Sequence, residues 1–277
     1  MAYHIEHNTV QETLVIPLYG RKVCSERFPG LFSDPEAERL CGELDYDFSV
    51  KGKKMESGLG LFGALEVAQR QYDLRLEAED YLKSHPAAAV VNMGCGLDDT
   101  VKRVDNGLCR GYNVDFPDVI AVREQLLERG EREENVACDL NDFAWMDRID
   151  ARVGAIFFAA GVFYYFRTEQ VKALFCELAR RFPGAVIVFD SCNARGARMM
   201  TKTWLKEAGI REVGAYFSLD DVSVLEGWSR DFASVTARSY MRGYRDILPA
   251  VRPLYRLMIR FCDSVVNMKI VKITCRK

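Results

Sequence analysis

From residue 86 onward, short apolar runs alternate with longer stretches of helical period. Such alternation indicates a parallel β-sheet covered by helices, because parallel strands are joined by crossovers that are usually helical. The expected fold class is therefore α/β. In open sheets of this kind, ligands bind at the carboxyl ends of the strands. The strands predicted in this regular part occupy residues 87–93, 109–114, 135–138, 153–159 and 185–189.

Helices are predicted between these strands and before them. Pro117 suits the first turn of one crossover helix, and Thr168 suits the capping position of another. Asp34, which precedes a proline, marks an earlier helix start, and a long helix is predicted over about residues 58–83. We interpret residues 1–85 as a helical N-terminal cap on the domain that follows.

Beyond residue 190 the regular alternation ends. A helix is predicted over 194–208 and an extended segment over 212–219, and a further short helix follows. We interpret residues 194–229 as a lid insertion. The last two predicted strands, 232–241 and 268–275, are expected to pair antiparallel at the edge of the sheet.

Charge argues against general nucleic-acid binding. The chain has 38 Lys and Arg against 40 Asp and Glu, a net charge of -2, whereas nucleic-acid binding needs a basic footprint. Residues 242–277 are nevertheless basic, and Arg252, Arg256 and Arg260 recur every four residues. We interpret them as the solvated face of an amphipathic helix, and an anionic partner stays open as the alternative. The apolar face opposite the arginines is expected to contain Leu254, Leu257, Met258 and Phe261.

Membrane, secretory and metal-binding classes have little support. The longest uncharged, mostly apolar run covers residues 153–166, which is shorter than the roughly 20 residues that a spanning helix needs. No signal peptide is visible, and the nine cysteines never form a Cys-x-x-Cys pair. We expect a cytoplasmic protein with reduced, mostly buried thiols and no membrane partner. His4 and His7 have a metal-like spacing without a third histidine nearby, so no metal site is predicted.

The first predicted strand runs into the turn Gly94-Cys95-Gly96. Glycines here let the backbone approach a nucleotide or an amino-acid moiety closely. Asp115 ends the next strand, 19 residues after Gly96, where it can accept both hydrogen bonds of a ribose diol. The third glycine of the dinucleotide fingerprint is absent, and the acidic pair Asp98 and Asp99 would repel a pyrophosphate but tolerate a sulfonium. The pattern favours S-adenosylmethionine over NAD.

A third predicted strand delivers Asp139 and Leu140. The carboxylate can accept from an adenine amino group, and the leucine can pack on the ring. Together with Asp115 and the glycine turn, this predicts a nucleoside-type site. The alternative is that these carboxylates only cap crossover helices. An NAD-dependent oxidoreductase would need the missing glycine and a catalytic His, Lys or Tyr pair near the crevice.

The motifs place the chain close to a known family. It resembles the leucine carboxyl methyltransferase family, and within that family the branch of bacterial polyketide-type, tetracenomycin-like O-methyltransferases. The resemblance implies a Rossmann-like class I methyltransferase with a seven-stranded, mostly parallel sheet, an antiparallel last strand and an S-adenosylmethionine-binding domain over residues 86–277. The segments that carry the resemblance are 13–21, 34–37, 90–100, 114–120, 138–145 and 159–166.

The resemblance also implies site residues. Gly94 and Gly96 would flank the methionine moiety, and Asp115 would hold the ribose. Asp139 with Leu140 would hold the adenine. Arg70, Gly94, Cys95, Gly96, Asp115, Phe116, Asp139, Leu140, Ala160 and Gly161 form the complete set assigned to the cofactor.

Arg70 would pair with the cofactor carboxylate. Two positions depart from the family pattern. Ala160 stands where the family usually has Glu, and Asp99-Thr100 stand where it has Thr-Arg. A catalytically silent member that binds the cofactor and acts through a partner therefore stays open.

The acceptor class follows from the histidines. A hydroxyl acceptor needs a base, most often His, whereas a carboxylate is already ionised at neutral pH. The three histidines are His4, His7 and His85, and His85 precedes the first strand at the wrong end of the sheet. A small molecule with a carboxylate, or with a readily ionised phenol or enol, is therefore favoured over an aliphatic alcohol.

Cations and aromatic walls would suit such an acceptor. Tyr19, Arg21 and Tyr165 are the candidates for positioning it. The residues predicted to bind the acceptor are Tyr19, Arg21, Tyr164, Tyr165, Arg195 and Arg198. The aromatic residues after the fourth strand can equally fill the core. The oligomeric state is left open.

Overall fold

The computed structural model describes residues 3–4, 10–48, 52, 55–200 and 216–277. A short parallel pair joins β1 (Tyr3–His4) to β2 (Leu44–Asp45). The other strands described form one sheet of seven: β3 (Ala89–Met93), β4 (Arg110–Asp115), β5 (Glu133–Ala137), β6 (Ala155–Ala159), β7 (Val186–Ser191), β8 (Phe232–Ser239) and β9 (Lys269–Cys275).

Helices cover the sheet and its carboxyl edge. Within the described ranges they are α1 (Val10–Arg27), α2 (Pro35–Glu43), α3 (Gly58–Ser84), α4 (Thr100–Arg103), α5 (Pro117–Leu126), α6 (Thr168–Arg181), α7 (Ala194–Met200) and α8 (Pro253–Phe261). A π-turn, Cys262–Val266, continues α8. Short 3-10 turns cover Phe143–Arg148, Phe163–Tyr165, Val222–Gly227 and Leu248–Ala250.

The strand order is β5-β4-β3-β6-β7-β9-β8. The first five of these are parallel, and β9 is antiparallel to both β7 and β8. The expected α/β sheet with an antiparallel last strand is confirmed. The expected antiparallel pairing of the two late strands at the edge of the sheet is also confirmed: β8 is the edge strand, and β9 lies between β7 and β8. The apolar run of β9 explains its inner position, since Ile270, Val271 and Ile273 are each at most 1% exposed.

Local signals placed most helix starts correctly. Asp34 caps α2, where its Oδ1 accepts from the Ala37 N–H at 2.9 Å, and Pro117 opens α5. Thr168 begins α6 but does not cap it. Instead, the Gln170 side chain accepts from the N–H of Arg167 at 2.9 Å.

The predicted lid is partly outside the described residues, which exclude 201–215. The helix predicted over 194–208 begins as α7, and no strand forms over 216–219. Residues 216–219 are instead held by isolated backbone hydrogen bonds to the segments that follow β6 and β7. The N–H of Tyr216 donates to the carbonyl of Tyr164 at 2.7 Å, and the N–H of Leu219 donates to that of Cys192 at 2.8 Å.

The basic helix α8 is rotated relative to the expectation. Leu254 and Leu257 are 61% and 66% exposed, so their assignment to the core face is wrong. The helix buries Tyr255 and Ile259 instead. The Tyr255 hydroxyl donates to the carbonyl of Gly58 at 3.1 Å, which fixes this rotation. Arg252, Arg256 and Arg260 are exposed, as expected, and Phe261 is partly exposed.

Two further expectations concern absent features. In the part of the chain that the structure describes, no helix is both long enough and apolar enough to span a bilayer. Nor do the described His, Cys, Asp and Glu side chains form a group of three that could hold a metal ion. All nine cysteines are free thiols, and most are buried.

The long helix α3 runs along the sheet and buries polar side chains against it. The Gln69 amide donates to Asp73 Oδ1 at 2.7 Å. The other oxygen of this buried carboxyl, Oδ2, has no hydrogen-bond partner among the described residues. Burial raises the pKa of Asp73 from 3.8 to about 8. At neutral pH the folded protein therefore holds a proton that the unfolded chain would release.

Asp73→Asn should flatten the pH dependence of stability. Because its pKa is raised on folding, Asp73 stabilises the fold at low pH, and this contribution is lost as pH rises from about 4 to about 8. The loss is at most about 1.4 kcal/mol per pH unit. Urea unfolding of both proteins at several pH values in this window measures it. Equal slopes for the two proteins would show that Asp73 is ionised throughout.

Candidate active site

The turn after β3 requires its glycines. Gly94 and Gly96 have φ of +67° and +50°, in the left-handed region. A Cβ on Gly94 would lie 2.4 Å from Cγ2 of Val162, which belongs to the loop after β6. The N–H groups of Gly94 and Cys95 both donate to the carbonyl of Val114, at 2.7 and 3.2 Å. The turn is thereby fixed against β4 and β6.

Asp115 closes β4 directly beside this turn. Its Oδ2 accepts from the N–H of Gly96 at 2.8 Å, and its Oδ1 accepts from the N–H of Phe116 at 2.8 Å. Burial raises the pKa of Asp115, and these two N–H groups oppose the shift. The residue keeps some exposed surface, and the Phe116 ring is 42% exposed. The carboxylate is therefore rigid but retains lone pairs for a ligand.

The end of β5 lies next to Asp115. The N–H of Cys138 donates to the carbonyl of Asp115 at 2.8 Å, which brings Asp139 to the same edge. Asp139 is exposed, and its Oδ1 accepts from the backbone and the side-chain amide of Asn141 at 2.9 and 2.8 Å. Leu140 is buried. The structure thus brings together the three strand ends that the sequence singled out.

Arg70 lies at the other half of the crevice. Its Nη1 is 3.2 Å from Oδ2 of Asp190, at the end of β7, and both side chains are largely buried. Oδ1 of Asp190 accepts from the N–H of Gly161 at 2.6 Å. Gly161 has a φ of +72°, and a Cβ there would lie 2.4 Å from Nη1 of Arg70. Ala160, beside it, is partly exposed.

The guanidinium of Arg70 has binding capacity left. Its Nε is buried and makes no hydrogen bond within the described residues. An unpaired buried N–H is costly unless a ligand or water satisfies it. A carboxylate of a bound ligand fits this position, so the residues of this half are compatible with the amino-acid part of S-adenosylmethionine.

The acidic pair after the glycine turn is engaged by neighbouring protein groups. Asp98 Oδ1 accepts from the N–H of Thr100 and from the Gln71 amide, and Asp99 is 2.7 Å from Arg103. Both residues are buried. These carboxylates are satisfied by α3 and α4 because they lie at a helix start.

Arg123 supports the turn from outside, and sequence reasoning missed it. Its Nη1 donates to the carbonyl of Gly96 at 3.1 Å, and its Nη2 donates to Glu133 at 3.2 Å. The residue is 3% exposed. The sequence did contain a signal for this role, because Arg123 lies among the apolar residues of α5 that face the core.

Two of the predicted acceptor residues belong to the cap. Tyr19 is 8% exposed, and its hydroxyl donates to Glu56 at 2.8 Å. Arg21 is 6% exposed, and its guanidinium donates to the carbonyl of Leu97 at 2.9 Å. No contact described joins either side chain to Arg70: Arg21 holds the cap on the glycine turn, whereas Tyr19 contacts residues within the cap.

The tyrosines after β6 do lie near the Arg70–Asp190 pair. Burial raises the pKa of Tyr164 and of Tyr165, and the charges of Arg70 and Asp190 act on both hydroxyls. Tyr164 is buried, and Tyr165 is 41% exposed. The remaining candidates, Arg195 and Arg198, are both exposed on α7.

A carboxylate that sequence reasoning missed lies one turn before Arg70. Glu66 Oε1 accepts from the Cys262 thiol at 3.3 Å, and the Glu66 carbonyl accepts from the Tyr240 hydroxyl at 3.0 Å. Burial raises the pKa of Glu66 to about 7. The available signal was that Glu66 is the single charged residue in the sequence between 58 and 69.

The sequence of this chain matches a known protein family over more than half of its length. Residues 16–179 match the sequence model of leucine carboxyl methyltransferase. The chain belongs to the leucine carboxyl methyltransferase family. The tetracenomycin polyketide synthesis O-methyltransferase TcmP of Streptomyces glaucescens is 26% identical to this chain over 184 residues. That match spans 66% of this chain and 66% of TcmP. The resemblance noted from the motifs is confirmed.

Solved structures support the fold. A proposed methyltransferase of Thermobifida fusca superposes with a TM-score of 0.58 and 13% identity, over 87% of this chain and 93% of that one. The plantazolicin methyltransferase BamL has a TM-score of 0.53 and 11% identity, over 97% and 100% of the chains. The expected class I methyltransferase fold of this family member is confirmed.

Gly94→Ala should destabilise the protein more than Gly107→Ala. Both glycines have positive φ, which costs a residue with a Cβ about 1–2 kcal/mol. A Cβ on Gly107 would meet nothing within 4 Å, whereas one on Gly94 would overlap Val162. Gly94→Ala should therefore cost about 1–3 kcal/mol beyond the control. Urea unfolding measures both, and equal losses would mean that the turn does not press on the β6 loop.

Proposed function

We propose that this chain is an S-adenosylmethionine-dependent O-methyltransferase of a small molecule. The acceptor is a carboxylate, or a readily ionised phenol or enol, of a polyketide-like compound. One observation carries the proposal: Asp115 is fixed by the N–H of Gly96 between the glycine turn and the end of β5, with lone pairs left for a ribose. Family membership supports the reaction type.

The cofactor residues divide into two groups. Asp115 and Phe116 hold the ribose and Asp139 with Leu140 holds the adenine. The backbone of the Gly94-Cys95-Gly96 turn approaches the methionine moiety. Ala160 and Gly161 border that moiety from the loop after β6, and the free Nε side of the Arg70 guanidinium receives the cofactor carboxylate. When bound, the cofactor supplies an electrophilic methyl group on a sulfonium.

Relatives support the choice of cofactor and acceptor. TcmP is an O-methyltransferase of tetracenomycin polyketide synthesis, and the BamL structure contains S-adenosylhomocysteine together with a triazolic analogue of desmethylPZN. A small-molecule acceptor suits a chain whose Tyr164 and Tyr165 lie beside Arg70. These tyrosines form the aromatic wall of the acceptor site.

The protein's part in catalysis is positioning and exclusion of water. Methyl transfer from a sulfonium is an in-line displacement, so no covalent enzyme intermediate is needed. Leu14 of α1 packs against Gly96, and α3 lies over Gly161, so the cap helices close the crevice from above. Desolvation strengthens the interactions that align donor and acceptor.

Asp115→Ala should weaken binding of S-adenosylhomocysteine at least tenfold. Hydrogen bonds to a charged group contribute about 1.5–3 kcal/mol, and the ribose loses its carboxylate acceptor. Asp118→Ala is the matched control, because Asp118 is exposed in the first turn of α5. Isothermal titration calorimetry measures both. Unchanged affinity in Asp115→Ala would remove this residue from the site. Binding without methylation of any acid, phenol or enol tested would favour the catalytically silent alternative.

Removing the charge of Arg70 should weaken the binding of ligands that carry the cofactor carboxylate and spare those that lack it. The double variant Arg70→Met, Asp190→Asn avoids leaving a buried carboxylate unpaired, which would itself destabilise the protein. We expect a dissociation constant for S-adenosylhomocysteine that rises at least tenfold, and one for adenosine that barely changes. Asp190→Asn alone is the control. Equal losses for both ligands would contradict the assignment of Arg70 to the cofactor carboxylate.

A further inference from the structure

A cavity of about 250 Å³ lies between the cap helices and the helix that follows the glycine turn. Its walls come from α1, from residues 29–34 between α1 and α2, and from α3 and α4. The charged and aromatic residues of its lining are Arg21, Phe32, Asp34, Tyr72, Arg75 and Arg103. We call this space the arginine cavity. Its volume is below the roughly 300–1,000 Å³ of drug-sized sites, so it suits one small ring with a single charged group.

The arginine cavity lies on a different side of α3 from the cofactor crevice. The helix contributes Ala68, Gln71, Tyr72 and Arg75, at the i, i+3, i+4 and i+7 positions that share one face. Arg70 is two residues after Ala68, which is about 200° around the helix axis. A ligand in the arginine cavity therefore does not meet the guanidinium that faces Gly161 in the crevice.

Two of the three arginines in the lining have N–H groups left for a ligand. The Arg21 side chain is 7% exposed, and its Nε makes no hydrogen bond with a described residue. Its terminal nitrogens donate to Gln71 and to the carbonyl of Leu97, at 2.8 and 2.9 Å. Arg75 pairs with Glu79 through Nε at 3.3 Å, and no hydrogen bond joins its terminal nitrogens to a described residue. A buried N–H without a partner costs free energy, so an acceptor on a ligand is favoured here.

Carboxylates on the wall of the cavity are too few for these donors. Asp34 is the acidic residue among the described residues of the lining, and two arginines share it. Its Oδ1 is 2.5 Å from Nη2 of Arg103, and its Oδ2 is 3.3 Å from Nε of Arg21. Asp99 also pairs with Arg103, but from outside the lining. An oxyanion in the cavity would supply further acceptors, and charged acceptors form the stronger bonds with guanidinium groups.

A fourth arginine lies against the aromatic part of the lining. The guanidinium carbon of Arg245 is 3.9 Å from the ring centroid of Tyr72 and 4.9 Å from that of Phe32. Arg245 forms no ion pair with a described residue. Burial lowers its pKa, and the charge of Arg75 acts in the same direction. Positive charge beside the rings favours an anion, and the rings favour an apolar body on that anion.

We propose that the arginine cavity binds a small organic oxyanion, a carboxylate or a phosphate carried on a ring or a short apolar chain. Arg75 offers its terminal N–H groups and Arg21 its Nε, while Phe32 and Tyr72 contact the apolar part. Arg21, which the sequence assigned to the acceptor, serves this second ligand instead. The site contains none of the residues assigned to the cofactor, so the inference does not depend on the proposed function.

Benzoate and phenyl phosphate are the probes, because they carry the two oxyanions on the same ring. Isothermal titration calorimetry with either probe up to about 10 mM should show saturable binding, in the weak range expected of so small a ligand. Benzamide keeps the ring and lacks the charge, so it should bind at least tenfold more weakly than benzoate. The tighter of the two oxyanions identifies the class of the natural ligand.

Variants of α3 test the location of the site. Arg75→Gln should weaken the binding of both probes at least tenfold, because their charge-assisted bonds are lost. Arg181→Gln is the matched control and should bind as wild type does. Arg181 is 27% exposed against 30% for Arg75, and each pairs with a glutamate four positions away. Ala68→Leu should also weaken binding, since it fills the cavity without changing a charge. Circular dichroism checks that each variant is folded.

Two further titrations separate the arginine cavity from the crevice. The double variant Arg70→Met, Asp190→Asn should bind benzoate as wild type does, and saturating S-adenosylhomocysteine should not displace benzoate. Loss of binding in either experiment would place the oxyanion at Arg70 and overturn the inference. Absence of binding of both probes, equal affinity for benzamide, or unchanged affinity in Arg75→Gln would overturn it as well. Failure of S-adenosylhomocysteine to bind would count against the proposed function alone, because the benzoate titrations of the free protein do not need it.

Discussion

The buried ion pair between Arg70 and Asp190 is the interaction on which the crevice depends. It joins the middle of α3 to the end of β7, and Asp190 extends the link to the backbone of Gly161. Removing one partner of such a pair typically costs about 3–5 kcal/mol, because the other charge is left buried alone. The pair therefore fixes α3 over the strand ends.

The crevice has two halves with different electrostatics. In the half at β4 and β5, Asp115 and Asp139 are held by backbone N–H groups, which suits the neutral nucleoside of the proposed function. In the half at β6 and β7, a guanidinium, two carboxyls and several hydroxyl and thiol groups are desolvated together. Rigid polar recognition suits the first half, whereas burial in the second half raises the pKa of Glu66 to about 7.

Sequence reasoning succeeded where one short segment determines the outcome. The strand ends and the glycine turn follow from local patterns, because strand, turn and carboxylate are adjacent in the chain. It failed where partners are distant. Arg70 and Asp190 are 120 positions apart, and no local signal pairs them. Nor could sequence reasoning show that Asp98 and Asp99, which were expected to repel a pyrophosphate, are satisfied by α3 and α4. The contact of Arg21 with the carbonyl of Leu97 is equally distant in sequence.

The rotation of α8 has the same origin. Periodicity identified an amphipathic helix but could not decide which stripe faces inward, since both contain large apolar residues. A contact between distant segments, from Tyr255 to Gly58, decides it. The general lesson is that periodicity predicts an element, whereas its orientation depends on anchors that only the folded chain brings together.

The geometry around Gly161 limits how Arg70 can meet a ligand. Its left-handed backbone lets the guanidinium lie against the loop after β6, at a distance that a Cβ would prevent. Asp190 then occupies Nη1 from the β7 side. The buried Nε has no hydrogen-bond partner among the described residues, so under the proposed function the cofactor carboxylate meets an arginine whose orientation is already set. Such preorganisation spares the ligand the cost of ordering a flexible side chain. The same contact keeps the charge of Arg70 partly neutralised by Asp190, so the guanidinium is held without an unpaired buried charge.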